Sequence, residues 1–302
     1  MSVPPSDDDL VPDLDPVAAA RWRARTSEVS PWLHEEVARR MVERLQWFRQ
    51  PPASWLHWEP VNGGLEAHRL LRAQLPGASH QVWSGQLAHA LALTGGGGTR
   101  ARWHPAAWLG RGKTPAPAPA PQPTDMLWAN MLLHQEPRPL ALLRRWQQLV
   151  RPQGFLMFSC LGPDSLAGLR ALYARHGWHA PAHPFTDMHD WGDMLVQAGF
   201  AEPVMDMEHI VLTWSSADAL LQELRGLGRN LHAARPAGLR GRGWLRQLRQ
   251  ALEDELPRSA DGRLQLVFEI VYGHAFQGEP RRRDPSRVSL DEMRAMLRQR
   301  PR

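Results

Sequence analysis

The tightest constraint on the fold is a switch of hydrophobic period between residues 125 and 160. Asp125 to Met131 reads as a strand. Pro137 to Val150 then carries Leu140, Leu143, Trp146 and Leu149 on one helical face. The turn Arg151-Pro152-Gln153-Gly154 leads into Phe155 to Cys160, an apolar strand of the kind covered on both faces. A one-sided helix between two such strands buries its stripe on a sheet, which places the chain in the α/β class.

The alternation runs both ways from this segment. Upstream, Ser30 before Pro31 is a favourable helix start. Trp32, Leu33, Val37, Met41, Leu45 and Phe48 follow at helical spacing until Pro51-Pro52. Trp55 to Trp58 reads as a buried strand, Leu65 to Leu75 as a helix and Gln81 to Trp83 as a strand. Downstream come helices near 164–176 and 188–198, a strand from Val204 to Trp214, a largely helical stretch from Ala217 to Leu256, and a last strand from Arg263 to His274. This order predicts a mostly parallel, doubly wound sheet. The two late strands predict an antiparallel edge, with a helical insertion before the last strand.

The predicted domain spans residues 17–276 of a 302-residue chain, flanked by an acidic, disordered N-terminus over 1–16 and a basic tail over 277–302. In the tail, Ser289 and Glu292 are spaced for a capping box. Residues 94–124 carry four consecutive glycines and a Pro-Ala alternation, the composition of an extended insertion loop. With 43% hydrophobic and 22% charged residues, the chain as a whole is globular. A single cysteine, Cys160, rules out a disulfide framework and a multi-cysteine zinc site. No apolar run follows a basic start, and no stretch is long enough to span a membrane, so a cytoplasmic protein is expected.

Charge is distributed unevenly. Lys113 is the only lysine, and two stretches concentrate the arginines: seven lie between Arg225 and Arg249 with no acid among them, and eight between Arg281 and Arg302. Guanidinium groups suit carboxylate and phosphate contacts. No nucleic-acid motif accompanies them, so no nucleic acid is expected as partner.

Two segments carry a family resemblance. Asp125-Met126-Leu127-Trp128-Ala129-Asn130, the following helix, and Leu149-Val150-Arg151-Pro152-Gln153-Gly154-Phe155 resemble the fourth and fifth strands of class I S-adenosylmethionine-dependent methyltransferases. More narrowly, Phe158 to Leu166, Leu224 to Asn230, Leu264 to Ala275 and Pro31 to Arg40 resemble the malonyl-[acyl-carrier-protein] O-methyltransferase family, which acts in biotin (pimeloyl) synthesis. The resemblance covers residues 17–276 and implies a Rossmann-like methyltransferase fold. It makes 17–50 lid helices and 215–258 an Arg-rich helical insertion. It also implies S-adenosylmethionine as cofactor and a monomer acting on malonyl-acyl carrier protein. The ester would let an elongation system treat the malonyl end as an ordinary chain end.

Several positions depart from the family's first turn, acidic-x-Gly-x-Gly-x-Gly. His57 replaces the acid, Glu59 and Val61 stand at small-residue positions, and only Gly63 and Gly64 remain. The second strand lacks its ribose-binding acid at Val82-Trp83-Ser84-Gly85, and Ser27 stands where the family has a tyrosine. The departures leave a second reading open, in which the chain keeps the fold and basic face but binds no cofactor. It would then be a carrier-protein-binding module. A methyltransferase for another acyl carboxylate is a third reading.

Methyl transfer to a carboxylate needs no general base, since the nucleophile is already ionised at neutral pH and positioning does the work. No catalytic residue is therefore singled out. The resemblance makes His57, Asn62, Gly63, Gly64, Ser84 and Asn130 the cofactor-side candidates, although a plain strand-to-helix turn accounts for Asn62, Gly63 and Gly64 equally, and a capping or turn role for Asn130. Arg225, Arg229 and His134 are the substrate-side candidates. For the arginines the alternative is a solvated helix face, and for His134 a satisfied helix-start histidine. The basic helices are the expected docking face for an acidic carrier protein. His176, His179, His183 and His189, with Asp187 and Asp190, match no standard zinc spacing, and no metal is expected.

Overall fold

The computed structural model describes residues 14–95, 120–236, 238 and 240–278. Its helices are α1 (Pro16–Arg23), α2 (Trp32–Arg44), α3 (Pro60–Gly63), α4 (Leu65–Gln74), α5 (Leu87–Thr94), α6 (Pro139–Leu149), α7 (Ala167–Arg175), α8 (Met188–Ala198), α9 (Ala217–Leu227) and α10 (Arg242–Glu255). Strands β1 (Ser54–Trp58), β2 (Ser79–Trp83), β3 (Thr124–Ala129), β4 (Val150–Leu161), β5 (Phe200–Trp214) and β6 (Leu264–Gln277) form one sheet in the order β2-β1-β3-β4-β6-β5. The pairs β1–β2, β1–β3 and β3–β4 are parallel, and β6 runs antiparallel to both β4 and β5. The reversed strand therefore sits one place in from the edge. β6 is buried along most of its length, whereas buried and accessible residues alternate along β5, as a one-faced edge strand requires.

Period-two alternation assigns each strand residue to one of two cores. Trp55, Met126, Trp128, Phe155 and Met157 join α2, α4, α7, α9 and α10 on one face. Leu56, Leu127, Leu156 and Phe158 join Leu143 and Trp146 of α6 and Trp191 and Leu195 of α8 on the other. All five residues of β1 are buried, because helices cover both faces. At Gly273 of β6 an added Cβ would lie 2.4 Å from the Phe158 ring, so the sheet packs there only without a side chain.

Three boundaries differ from the sequence expectation. Leu14 to Pro16 are ordered: Leu14 is buried and bridges His232, and Asp15 caps α1 and pairs with Arg235. The helical pattern over 17–50 breaks into α1, α2 and a 3-10 turn over Leu45–Trp47. The arginine-rich stretch is two helices, with residues 228–241 outside them. Residues 1–13, 96–119 and 279–302 lie outside the described residues, and with them most of the insertion loop and the tail's capping box.

Candidate active site

The sheet order reverses between β1 and β3, so the carboxyl ends of these strands open a crevice at the switch point. One cavity lies there beneath α1, and a second lies beyond the end of β4, against α7 and α9. The first, about 490 Å³, is walled by Trp58, Glu59, Trp83, Leu132 and Arg145 and roofed by Arg23 and its neighbours in α1. Trp58 and Trp83 stack at 3.8 Å, and the Arg145 guanidinium lies 4.9 and 4.7 Å from their centroids. The second, about 220 Å³, is mostly apolar and lined by Leu161, Tyr173, His183 and Phe268 with His134, Arg225 and Arg229. Between them a neck of only about 10 Å³ is closed by Trp22, His34, Glu59, Asn62, Met131 and Gln135, among others. Trp22 Nε1 donates to Gln135 Oε1 at 2.6 Å and Arg23 pairs with Glu136, which holds α1 over the first cavity and the neck.

The turn after β1 is built from side chains. Glu59 adopts φ 55°, ψ 58°, a left-handed conformation unusual for a residue with a Cβ. Its carboxylate reaches the end of β2, where Oε2 accepts from Ser84 Oγ at 2.7 Å and Oε1 from the Gly85 amide at 2.8 Å. Burial raises its pKa against the lowering effect of those two donors and of Arg23. Asn62 accepts from His34 Nδ1 at 2.6 Å through its carbonyl. Gly63 and Gly64 face inward rather than toward the first cavity. A Cβ on Gly63 would meet Asn130 O and His57 Nε2 at 3.4 Å, and one on Gly64 would meet Ala67 Cβ and Glu35 Oε2 at 3.0 Å. The α4 amides of Glu66 and Ala67 donate to Glu35 of α2, so that helix start is already capped.

His57 lies beneath the turn, with Nδ1 3.2 Å from His68 Nδ1 in a ring cluster with Trp55 and His80. Burial and the neighbouring His68 hold it neutral, far below the usual histidine range. Asn130 ties four elements together. Its Nδ2 donates to His34 O at 2.8 Å and to Gly63 O at 2.6 Å, and its Oδ1 accepts from Ser159 Oγ at 2.6 Å. Both Nδ2 hydrogens are therefore committed within the fold. Of the cofactor-side candidates, only Ser84, through Glu59, and Asn62 border the cavities; His57, Gly63, Gly64 and Asn130 shape the turn.

The three substrate-side candidates converge on the second cavity from 134, 225 and 229. His134 Nδ1 accepts the Leu161 amide at 3.3 Å, and burial with His34 and His183 nearby keeps the imidazole neutral. Arg229 donates to the carbonyls of Arg225 and Gly228, and its guanidinium lies 5.3 Å from the Trp22 centroid. Of the arginine run, Arg235 and Arg249 are paired with Asp15 and Asp218, and Arg240 lies over Trp244. Arg225, Arg229, Arg242 and Arg246 are exposed, with no carboxylate partner among the described residues.

The four histidines weighed for metal binding do not converge. His183 donates to His134 O, His189 pairs with the capping Asp187, and His176 pairs with Glu255. Among the described residues the group within ligating reach is Asp164 in the turn after β4, His209 on β5 and Glu269 on β6. No helix of the described residues is long and apolar enough to cross a membrane. Sequence reasoning missed Glu59, Trp22 and Gln135. Glu59 carried a signal, an acid one turn from a β2 end that lacks one, but it was counted as a departure from pattern.

No family model matches the chain. Solved structures of YcgJ from Bacillus subtilis and of a SAM-dependent methyltransferase from Archaeoglobus fulgidus align with 12% and 13% identity. The first alignment covers 81% of this chain and 99% of that one at a TM-score of 0.48; the second covers 80% and 94% at 0.38. Sequence relatives are nearer. The malonyl-[acyl-carrier protein] O-methyltransferase of Gallionella capsiferriformans is 36% identical over 84% of this chain and 87% of its own length. The protein of the same name from Laribacter hongkongensis is 36% identical over 86% and 88%. With that identity sustained across nearly the whole length of both chains, this protein belongs to the malonyl-[acyl-carrier protein] O-methyltransferase family.

Proposed function

We propose that this chain methylates the free carboxylate of malonyl-acyl carrier protein with S-adenosylmethionine as donor, in the cytoplasm, as a step of biotin synthesis. The observation that carries the reading is the pair of cavities meeting under α1 at the neck beside Asn62, Met131 and Gln135. The first cavity, with stacked indoles and a carboxylate at the end of β2, fits the nucleoside half of the cofactor. Its volume is within the usual range for small-molecule sites, roughly 300–1,000 Å³. When bound, the cofactor supplies an electrophilic methyl group. The second cavity fits an acyl chain end with its linker.

The protein's own contribution is positional. A malonyl carboxylate is ionised at neutral pH, so His134, buried and neutral, is not required as a base and serves as part of the wall. Arg225 and Arg229, at the cavity mouth, would engage the carboxylate or the phosphorylated arm. With Arg242 and Arg246 they offer unpaired positive charge to an acidic carrier protein, which favours encounter more than it tightens the complex. The protein is proposed to act as a monomer. α1 excludes water from the neck, where nucleophile and methyl group must meet in line.

The test is calorimetric titration of the full chain with S-adenosylhomocysteine, followed by rescue of a biotin auxotroph lacking its methyltransferase. Binding and rescue are expected. Binding without rescue would point to another acyl carboxylate. The closed neck and inward-facing glycines favour the second reading, a carrier-protein-binding module without cofactor. Absence of binding at millimolar ligand, with carrier-protein affinity retained, would establish that reading instead.

A further inference from the structure

The carboxylate of Glu59 is half-buried at the end of β2, yet no arginine or lysine among the described residues pairs with it. The nearest cation to influence it, Arg23, is committed to Glu136. The carboxylate is nevertheless held rigidly. Ser84 Oγ and the Gly85 amide each occupy one oxygen, so each oxygen keeps a lone pair for a further donor. The backbone reaches this point only through the left-handed conformation at Glu59, a residue type that rarely adopts it. Strain of this kind persists where the surrounding structure enforces it, and it concentrates at functional sites. The same side chain borders both the 490 Å³ cavity and the neck, next to the stacked Trp58 and Trp83. Two fixed acceptor oxygens beside an aromatic wall match a vicinal diol attached to a planar base.

We propose that Glu59 is the ribose-gripping residue of this chain: its carboxylate, carried to the end of β2 from the turn after β1, accepts the two hydroxyls of a nucleoside. The acid that the second strand lacks is thus supplied from the neighbouring loop, and Ser84 aims it. This deepens the functional reading above and rests on it, since it requires a nucleoside cofactor in the first cavity. Glu59→Gln tests the assignment while conserving shape, because the amide oxygen still accepts the Gly85 N–H and the amide nitrogen can donate to Ser84 Oγ.

The experiment is calorimetric titration of the full-length wild type and Glu59→Gln with S-adenosylhomocysteine and with its 2′-deoxy analogue. The wild type is expected to prefer the ribose form by about tenfold or more, the scale of one hydrogen bond to a charged group. Glu59→Gln is expected to lose about tenfold or more for the ribose form and to bind both forms alike. Should Glu59→Gln fail to fold, Ser84→Ala carries the test, with a loss of about threefold confined to the ribose form. An equal preference in variant and wild type, or none in the wild type, overturns the assignment and leaves the methyltransferase reading intact. A wild type that binds neither ligand overturns both.

Discussion

The two cavities on either side of the neck are built by opposite means. On the α7–α9 side the wall is ordinary core, in which Leu161, Tyr173 and Phe268 pack in regular elements and the polar groups stand at the mouth. On the β1–β2 side the wall depends on individual polar side chains: Glu59 held by Ser84, His34 held by Asn62, and the Asn130 amide joining α2 to β4. An apolar wall tolerates substitution of similar volume. A buried polar network does not, because each unmade bond leaves a desolvated group behind.

The largest effect expected to break this contrast is on the polar side. Asn130→Ala removes the amide's bonds to the His34 and Gly63 carbonyls and leaves the buried Ser159 hydroxyl proton without its acceptor. About 3–5 kcal/mol of stability should be lost, read as a shift in the urea midpoint at unchanged m-value. A loss below about 1 kcal/mol would show that the network is dispensable.

Acid is the second lever. Burial depresses both His34 and His68 to about 4 from 6.5. The unfolded chain therefore binds protons first as pH falls. The stability present above pH 6.5 is lost toward pH 4, by about 3 kcal/mol for each histidine. His68→Phe should flatten part of that pH profile in denaturant titrations between pH 7 and 4, and an unchanged profile would refute the assignment.

At the arginine side the effects are smaller and concern binding. Arg225→Glu with Arg229→Glu should weaken carrier-protein affinity about tenfold or more at low salt, with the difference shrinking as ionic strength rises. The smallest effect sharpens the distinction between free and paired arginines. Arg249→Ala removes an exposed pair with Asp218 and should change stability by less than about 1 kcal/mol. Docking should stay as in the wild type, and a loss matching the Arg225 and Arg229 reversals would extend the docking face to the paired arginines.

Legibility in the sequence follows the same division. β3, α6 and β4 were readable because an apolar run and a one-sided helix report their own burial, and α8 lies where its pattern predicts it. The start of α1 was not, because Leu14 and Asp15 are ordered by His232 and Arg235, more than 200 residues away. His134, Arg225 and Arg229 were named from family-like stretches, and the fold brings them to one cavity. Asn130 was named for the right place in the fold, beyond β3, but its amide hydrogens turn out to be spent on the protein itself. Glu59 had the opposite fate, discounted for its position in the chain although its carboxylate ends up beside β2.

The class of fold, the alternation that builds it, the family and the uneven placement of positive charge are all written along the chain. These are local or additive properties, carried by period, composition and short segments. Three-dimensional packing sets the rest: β6 is the reversed strand inside the edge, the first-turn glycines face the protein, and the carboxylate after β1 reaches the end of β2. Each depends on where a side chain points after distant strands have paired, and a left-handed residue such as Glu59 sends its side chain where no linear pattern could place it.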